Sequence, residues 1–173
     1  MIISQNKMLR PFITLGVILC GVVSLTFGQT NASEEISDSV QTTKGELKVI
    51  KVIDGDAVNI KIELDDKVTK DGTESPYLSG TIFGKYPQKS PSLFLVRLTN
   101  DSTACAAGFI IIDLSGKSAT VSKEFGNCGD SPASVYRNQS LLITFPAGKN
   151  SDIYKKGERE VWRFRNGKLW KIK

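Results

Sequence analysis

Histidine is absent from the 173-residue chain. That absence removes the commonest general base, the usual zinc ligand and the ordinary side-chain pH switch together. A Ser-His-Asp or Cys-His nucleophile is excluded. Helical patterning is lacking too: beyond the first 28 residues no segment sustains an apolar stripe at helical spacing. Cysteine is scarce, with three residues, and no internal repeat is visible. The acids available for carboxylate-only chemistry, Asp65, Asp66, Asp113, Glu124, Asp130 and Glu158, are scattered, and no spacing pairs them. No enzyme activity, cofactor or metal site is therefore expected.

What is present first is a leader. Residues 1–10 hold Lys7 and Arg10 and no acid, residues 12–27 are almost uninterrupted apolar, and QTNASEEISDS follows. These are the parts of a secretory signal peptide, expected over 1–28. Thr26 and Gly28 suit a cut before Gln29; Thr30 and Ala32 suit one before Ser33. An uncleaved leader would instead act as a membrane anchor. Leu19 before Cys20 is too large for a lipoprotein signal. The destination is periplasmic or secreted.

Removing the leader removes Cys20 and leaves Cys105 and Cys128. An even count in an exported chain points to a disulfide. Two free thiols are the alternative, and a metal site lacks the histidine to complete it.

The formal charge of +5 is unevenly spread. Residues 29–173 carry 21 bases against 18 acids, and residues 155–173 alone hold eight bases and two acids. The basicity is a local C-terminal property.

Residues 29–44 are polar, without hydrophobic period, and are expected to form a flexible tether. A single β domain is expected over 45–173. Apolar runs recur at 47–53, 58–64, 77–83, 93–98, 109–114, 119–122, 135–136, 141–145, 161–165 and 168–172. Between several of them stand turn residues: Asp54-Gly55-Asp56, Ser115-Gly116-Lys117, Asn138-Gln139 and Asn166-Gly167. Residues 65–76 read as a charged loop. The pattern predicts an all-β, antiparallel sandwich or barrel of about eight to nine strands. Asp54-Gly55-Asp56 has the look of a calcium-loop fragment but lacks the other oxygen ligands, and a hairpin turn accounts for it. The Asn-x-Ser sequons at Asn31, Asn100 and Asn138 matter only in a eukaryotic secretory pathway.

The closing hairpin is the candidate binding surface: Trp162, Arg163, Arg165, Lys168, Trp170 and Lys171. A two-residue turn sets Arg163 opposite Trp170 and Trp162 opposite Lys171, spacings suited to cation–π pairs. Such a patch would take an anionic glycan, a lipid headgroup or an acidic protein. The plainer reading, which is preferred, puts Trp162 and Phe164 in the core and the bases on the solvent face.

Thr103-Ala104-Cys105-Ala106-Ala107, Phe109, Ile112-Asp113-Leu114-Ser115, Val121-Ser122 and Glu124-Phe125-Gly126-x-Cys128 form a moderately specific pattern. It resembles small exported bacterial β-rich proteins in which a first cysteine is answered by an FG-x-C turn. The closing hairpin is similar as well; the early half is not. The resemblance spans about 80 residues, implies a bacterial periplasmic or secreted setting, supports a Cys105–Cys128 bond and carries no activity. The expected function is that of an exported binding protein whose partner is another envelope or secreted protein, such as a cell-envelope hydrolase or a toxin. An envelope-associated structural module is the alternative, and a carboxylate-dependent hydrolase a distant third. Nucleic acid is not expected as a partner.

Overall fold

The computed structural model describes residues 32–74, 77–100, 105, 107–129, 131–147 and 158–173. The expected leader over 1–28 and Asp130 lie outside them. Among the described residues twelve strands form three four-stranded antiparallel sheets. The first sheet holds β1 (Ser33–Thr42), β2 (Gly45–Asp54), β3 (Ala57–Leu64) and β4 (Lys67–Lys70) in chain order. The central sheet holds β5 (Ser79–Tyr86), β6 (Leu93–Thr99), β7 (Ala107–Asp113) and β8 (Thr120–Val121). The third holds β9 (Ala133–Arg137), β10 (Ser140–Phe145), β11 (Glu160–Arg165) and β12 (Lys168–Lys171), in the order β12-β11-β10-β9. No closed barrel forms among the described residues.

Side-chain parity on β6 and β7 explains the stacking. Successive residues of a strand face opposite ways. Phe94, Val96, Leu98, Ile110 and Ile112 point one way, into a core shared with Leu47, Val49, Ile60 and Ile62 of the first sheet. Leu93, Leu95, Phe109 and Ile111 point the other way, into a second core with Leu141, Ile143, Phe145 and Phe164 of the third sheet. The central sheet is covered on both faces. Its middle strands are accordingly apolar almost throughout, as strands buried on both faces must be. The result is three antiparallel sheets with an apolar core on each face of the central one.

Two expectations need correcting. Ser33–Thr42, expected within the flexible tether, is strand β1, paired along its length with β2 around a bulge at Ser37. Its polar sequence conceals it, because ladder bonds and ion pairs replace a hydrophobic stripe. Glu34 Oε1 lies 2.6 Å from Lys61 Nζ, and Asp38 Oδ2 accepts the Ile82 N–H of β5 at 2.8 Å. Within the expected charged loop, Lys67–Lys70 is strand β4. Asp65 and Asp66 turn into it with φ of 51° and 59°, a left-handed pair that suits a tight hairpin. With the ten apolar runs, these two strands make up the twelve.

Cys105 and Cys128 are joined by a disulfide. It lies beside the antiparallel bridge in which Phe109 and Phe125 exchange backbone bonds of 2.9 and 3.0 Å. Asn127, next to the bridge, donates from Nδ2 to Pro146 O and Glu158 O at 2.8 and 3.1 Å, pinning both ends of the connection between β10 and β11. Gly126, at φ 129°, packs where a Cβ would lie 3.4 Å from the Phe109 and Phe145 rings. Chain-entropy arithmetic for a 23-residue separation gives about 3 kcal/mol. The Cys105→Ser/Cys128→Ser protein should lose about that much unfolding free energy in a urea titration, and dithiothreitol should destabilise only the native sequence. An unchanged midpoint would show that the bond closes no costly loop.

Lys61, on β3, is 9% exposed, and its Nζ meets Glu34 Oε1 at 2.6 Å and Glu63 Oε1 at 2.8 Å. Hydrogen bonds to Glu34 and then Glu63 raise its pKa above the ordinary ammonium value. A raised folded-state value stabilises fully below the unfolded-state pKa, about 10.4, and that contribution disappears as pH climbs through the folded one. Lys61→Met should therefore flatten the loss of thermal stability as pH rises above about 10. Parallel alkaline melting curves for the two proteins would contradict this.

Candidate functional site

The candidate surface is built on the third sheet, whose two faces differ in chemistry. Alternation sends Leu141, Ile143 and Phe145 of β10 and Phe164 of β11 inward, all buried. Their neighbours go outward. The Asn166-Gly167 turn, with φ of 51° and 72°, pairs Arg163 with Trp170 and Arg165 with Lys168, the register expected of a two-residue hairpin. The Asn138-Gln139 turn, with φ of 51° and 56°, pairs Arg137 with Ser140 and Val135 with Leu142. The β10–β11 ladder then sets Leu142 opposite Arg163 and joins the two hairpins.

Two rows cross all four strands. One reads Val135, Leu142, Arg163 and Trp170; the other holds Arg137, Ser140, Arg165 and Lys168. Neither row contains a carboxylate. Among the described residues no acid lies within ion-pair distance of Arg137, Arg163, Arg165 or Lys168. Arg137, Ser140, Leu142, Arg163 and Arg165 line one shallow depression of about 290 Å³. Arg163 is half-buried along Leu142, and its Nε has no hydrogen-bond partner among the described residues; nor has Ser140 Oγ. Trp170 stands 40% exposed and Val135 54% beside this charge. A surface of bases with no internal acids attracts anionic groups, and guanidinium forks fit carboxylate pairwise.

The six residues singled out from sequence separate. Arg163, Arg165, Lys168 and Trp170 share the outer face. Trp162 and Lys171 face the other way: Trp162 packs half-buried against Phe125 at 5.3 Å between ring centres, on the second core. Trp162 Nε1 donates to Glu160 Oε2 at 2.8 Å, and Lys171 Nζ reaches Glu160 Oε1 at 2.6 Å. Lys171 is thus held by a carboxylate, and the cation over the Trp162 ring is Lys123, 5.9 Å from its centre. No cation stands over Trp170 among the described residues' ring contacts. Phe164 is buried, as the plainer reading had it.

Sequence reasoning missed Arg137, Ser140 and Leu142. The alternation of Leu141, Ile143 and Phe145 announces which residues of β10 face outward, but the pairing of β10 with β11 is long-range. The scattered acids lie apart from this face. Asp66 Oδ1 is bonded to Lys48 Nζ at 2.6 Å, which holds its carboxyl below the usual range. Glu124 accepts the Glu74 N–H. Asp113 is buried at the end of β7.

No family model, curated protein or solved structure matches the chain significantly.

Proposed function

We propose that the chain is an exported binding protein that docks an acidic surface of a partner protein on the outer face of its third sheet. The observation that carries this is the pair of cross-strand rows, with four bases, no acid and Trp170 exposed among them. Three of the four bases are arginine, and arginine with tryptophan is the composition that dominates binding energy at protein interfaces. Long flexible lysines would serve a diffuse lipid surface equally well; planar forks over a depression with Ser140 and Leu142 favour fixed carboxylates. Export into an oxidising compartment draws support from the leader pattern and the disulfide.

The anchored structural module has less in its favour. With β1 starting at Ser33, a leader ending at Gly28 would leave only residues 29–32 ahead of the fold, too little chain to give reach from a membrane.

The test is crosslinked capture from envelope and secreted fractions with the mature chain, beside the Arg137→Glu/Arg163→Glu/Arg165→Glu protein. An acidic protein should be held by the former in a stoichiometric complex that survives gel filtration, weakens with salt and is absent for the latter. Absence of any complex, a complex indifferent to the substitutions, or binding confined to anionic vesicles or polyuronate would overturn the reading.

A further inference from the structure

Asp113 ends β7, the strand whose seven residues are all buried, and is itself only 7% exposed. Parity places its side chain on the same face as Phe109 and Ile111, toward the third sheet. Ser115 donates to its Oδ1 from both the backbone N–H, at 2.8 Å, and Oγ, at 2.6 Å. No base lies within ion-pair range of it among the described residues. Both described hydrogen bonds fall on one of its two oxygens.

This carboxylate lines a cleft of about 330 Å³ at one end of the second core, between the central and third sheets. That volume is at the small end of small-molecule sites, with room for one or two sugar rings. Tyr136, stacked on Tyr86 at 6.3 Å between ring centres, and Phe164 give it apolar walls. Gln139 and Asn166, one from each hairpin tip, also line it. Both residues are fixed in the left-handed region, at φ 56° and 51°. The serine hydroxyls and the amides of these two residues are neutral groups that both donate and accept.

We infer that this cleft is a binding site for a neutral saccharide, with Asp113 accepting from its hydroxyls and the amides of Gln139 and Asn166 completing the hydrogen bonding. The match is chemical. Vicinal hydroxyls can donate to a carboxylate whose described bonds both come from Ser115, and sugar C–H faces suit aromatic walls. A divalent cation would require more oxygens of negative charge than one carboxylate offers. The site is separate from the basic outer face: it opens between the layers and needs none of the arginines. A surface for a protein and a cleft for a glycan would together suit a domain working at a glycan-rich envelope.

The experiment titrates the oxidised mature chain with cellobiose, maltose, mannobiose and N,N′-diacetylchitobiose, followed by amide NMR and calorimetry. At least one should shift the Ser115, Gln139 and Asn166 resonances. Asp113→Asn retains an oxygen for Ser115 but removes the charge, and should weaken that binding about tenfold or more. The same substitution should leave the melting temperature of the free protein nearly unchanged, since the retained oxygen still accepts from Ser115. Asn166→Gly and Gln139→Gly keep the left-handed backbone while stripping the amides, and should each weaken binding several-fold. The Arg137→Glu/Arg163→Glu/Arg165→Glu protein should bind the same disaccharide normally, so this site and the basic face can fail separately. No resonance shift with any disaccharide, or undiminished binding in Asp113→Asn, would overturn the inference.

Discussion

Truncating Phe109 to alanine is expected to lower the unfolding free energy by about 3–5 kcal/mol, the usual cost of a phenyl-sized cavity in a packed core. Phe109 has no solvent exposure and meets Phe145 edge-to-face at 5.2 Å, Phe125 at 6.3 Å and Phe83 at 5.9 Å. Its backbone carries the bridge to Phe125 that seats the segment before Cys128. The site cannot collapse cheaply: β7 is locked between neighbours in the central sheet, and the Phe145 ring belongs to a strand of another layer. A native domain holds only about 5–15 kcal/mol in total, so this one side chain decides whether the second core survives mild denaturant. Phe83→Ala is the comparison, because Phe83 touches the same ring but is 36% exposed, and its loss should cost about 1 kcal/mol. Urea midpoints at constant m-value read both. Equal losses would mean that Phe109 is no more central than the rim.

That ring cluster also shows where the sequence speaks and where it is silent. Leu93–Thr99 and Ala107–Asp113 are legible as strands, and their near-continuous apolar character is the mark of burial on both faces. A two-layer sandwich would have left one face of each alternating polar. Read in that light, the run AGFIIID already calls for a third layer. Nothing comparable announces β1. Its contacts are backbone ladder bonds, pairs of Glu34 with Lys61 and Glu35 with Lys51, the Asp38 cap on β5 and one apolar side chain, Val40, against the first core; a single apolar contact leaves no local period. In the closing hairpin, Asn166-Gly167 dictates the register of Arg163 and Trp170 from adjacent residues alone. Whether Lys171 is free or held by Glu160 depends on how that hairpin packs, and whether Arg137 joins the patch depends on β10 meeting β11 across an intervening connection. Both are matters of tertiary structure.

Reversing Arg137, Arg163 and Arg165 to glutamate is expected to weaken partner binding by about a thousandfold, while the melting temperature moves little. Each reversal replaces an attraction with like-charge repulsion at the same spot, for which about 1.4 kcal/mol, a tenfold change, is a modest estimate. The losses accumulate because the three side chains line one depression facing the same acidic groups. Association should slow most, and its salt dependence should flatten, because steering fails before contact. Fold stability should fall by no more than about 1 kcal/mol: Arg137 and Arg165 are exposed, Arg163 loses only the packing of a half-buried stem, and no acid among the described residues pairs with any of the three. Lys171→Ala provides the opposite signature from the same hairpin. It removes the partner of Glu160, whose other oxygen holds Trp162, so stability should fall by up to about 1 kcal/mol. Binding should persist, since Lys171 sits on the inner side of the sheet. Surface plasmon resonance paired with urea titration separates the two patterns. If Lys171→Ala abolished binding while the triple reversal preserved it, the working surface would lie at the sheet edge around Glu160 and not on the arginine rows.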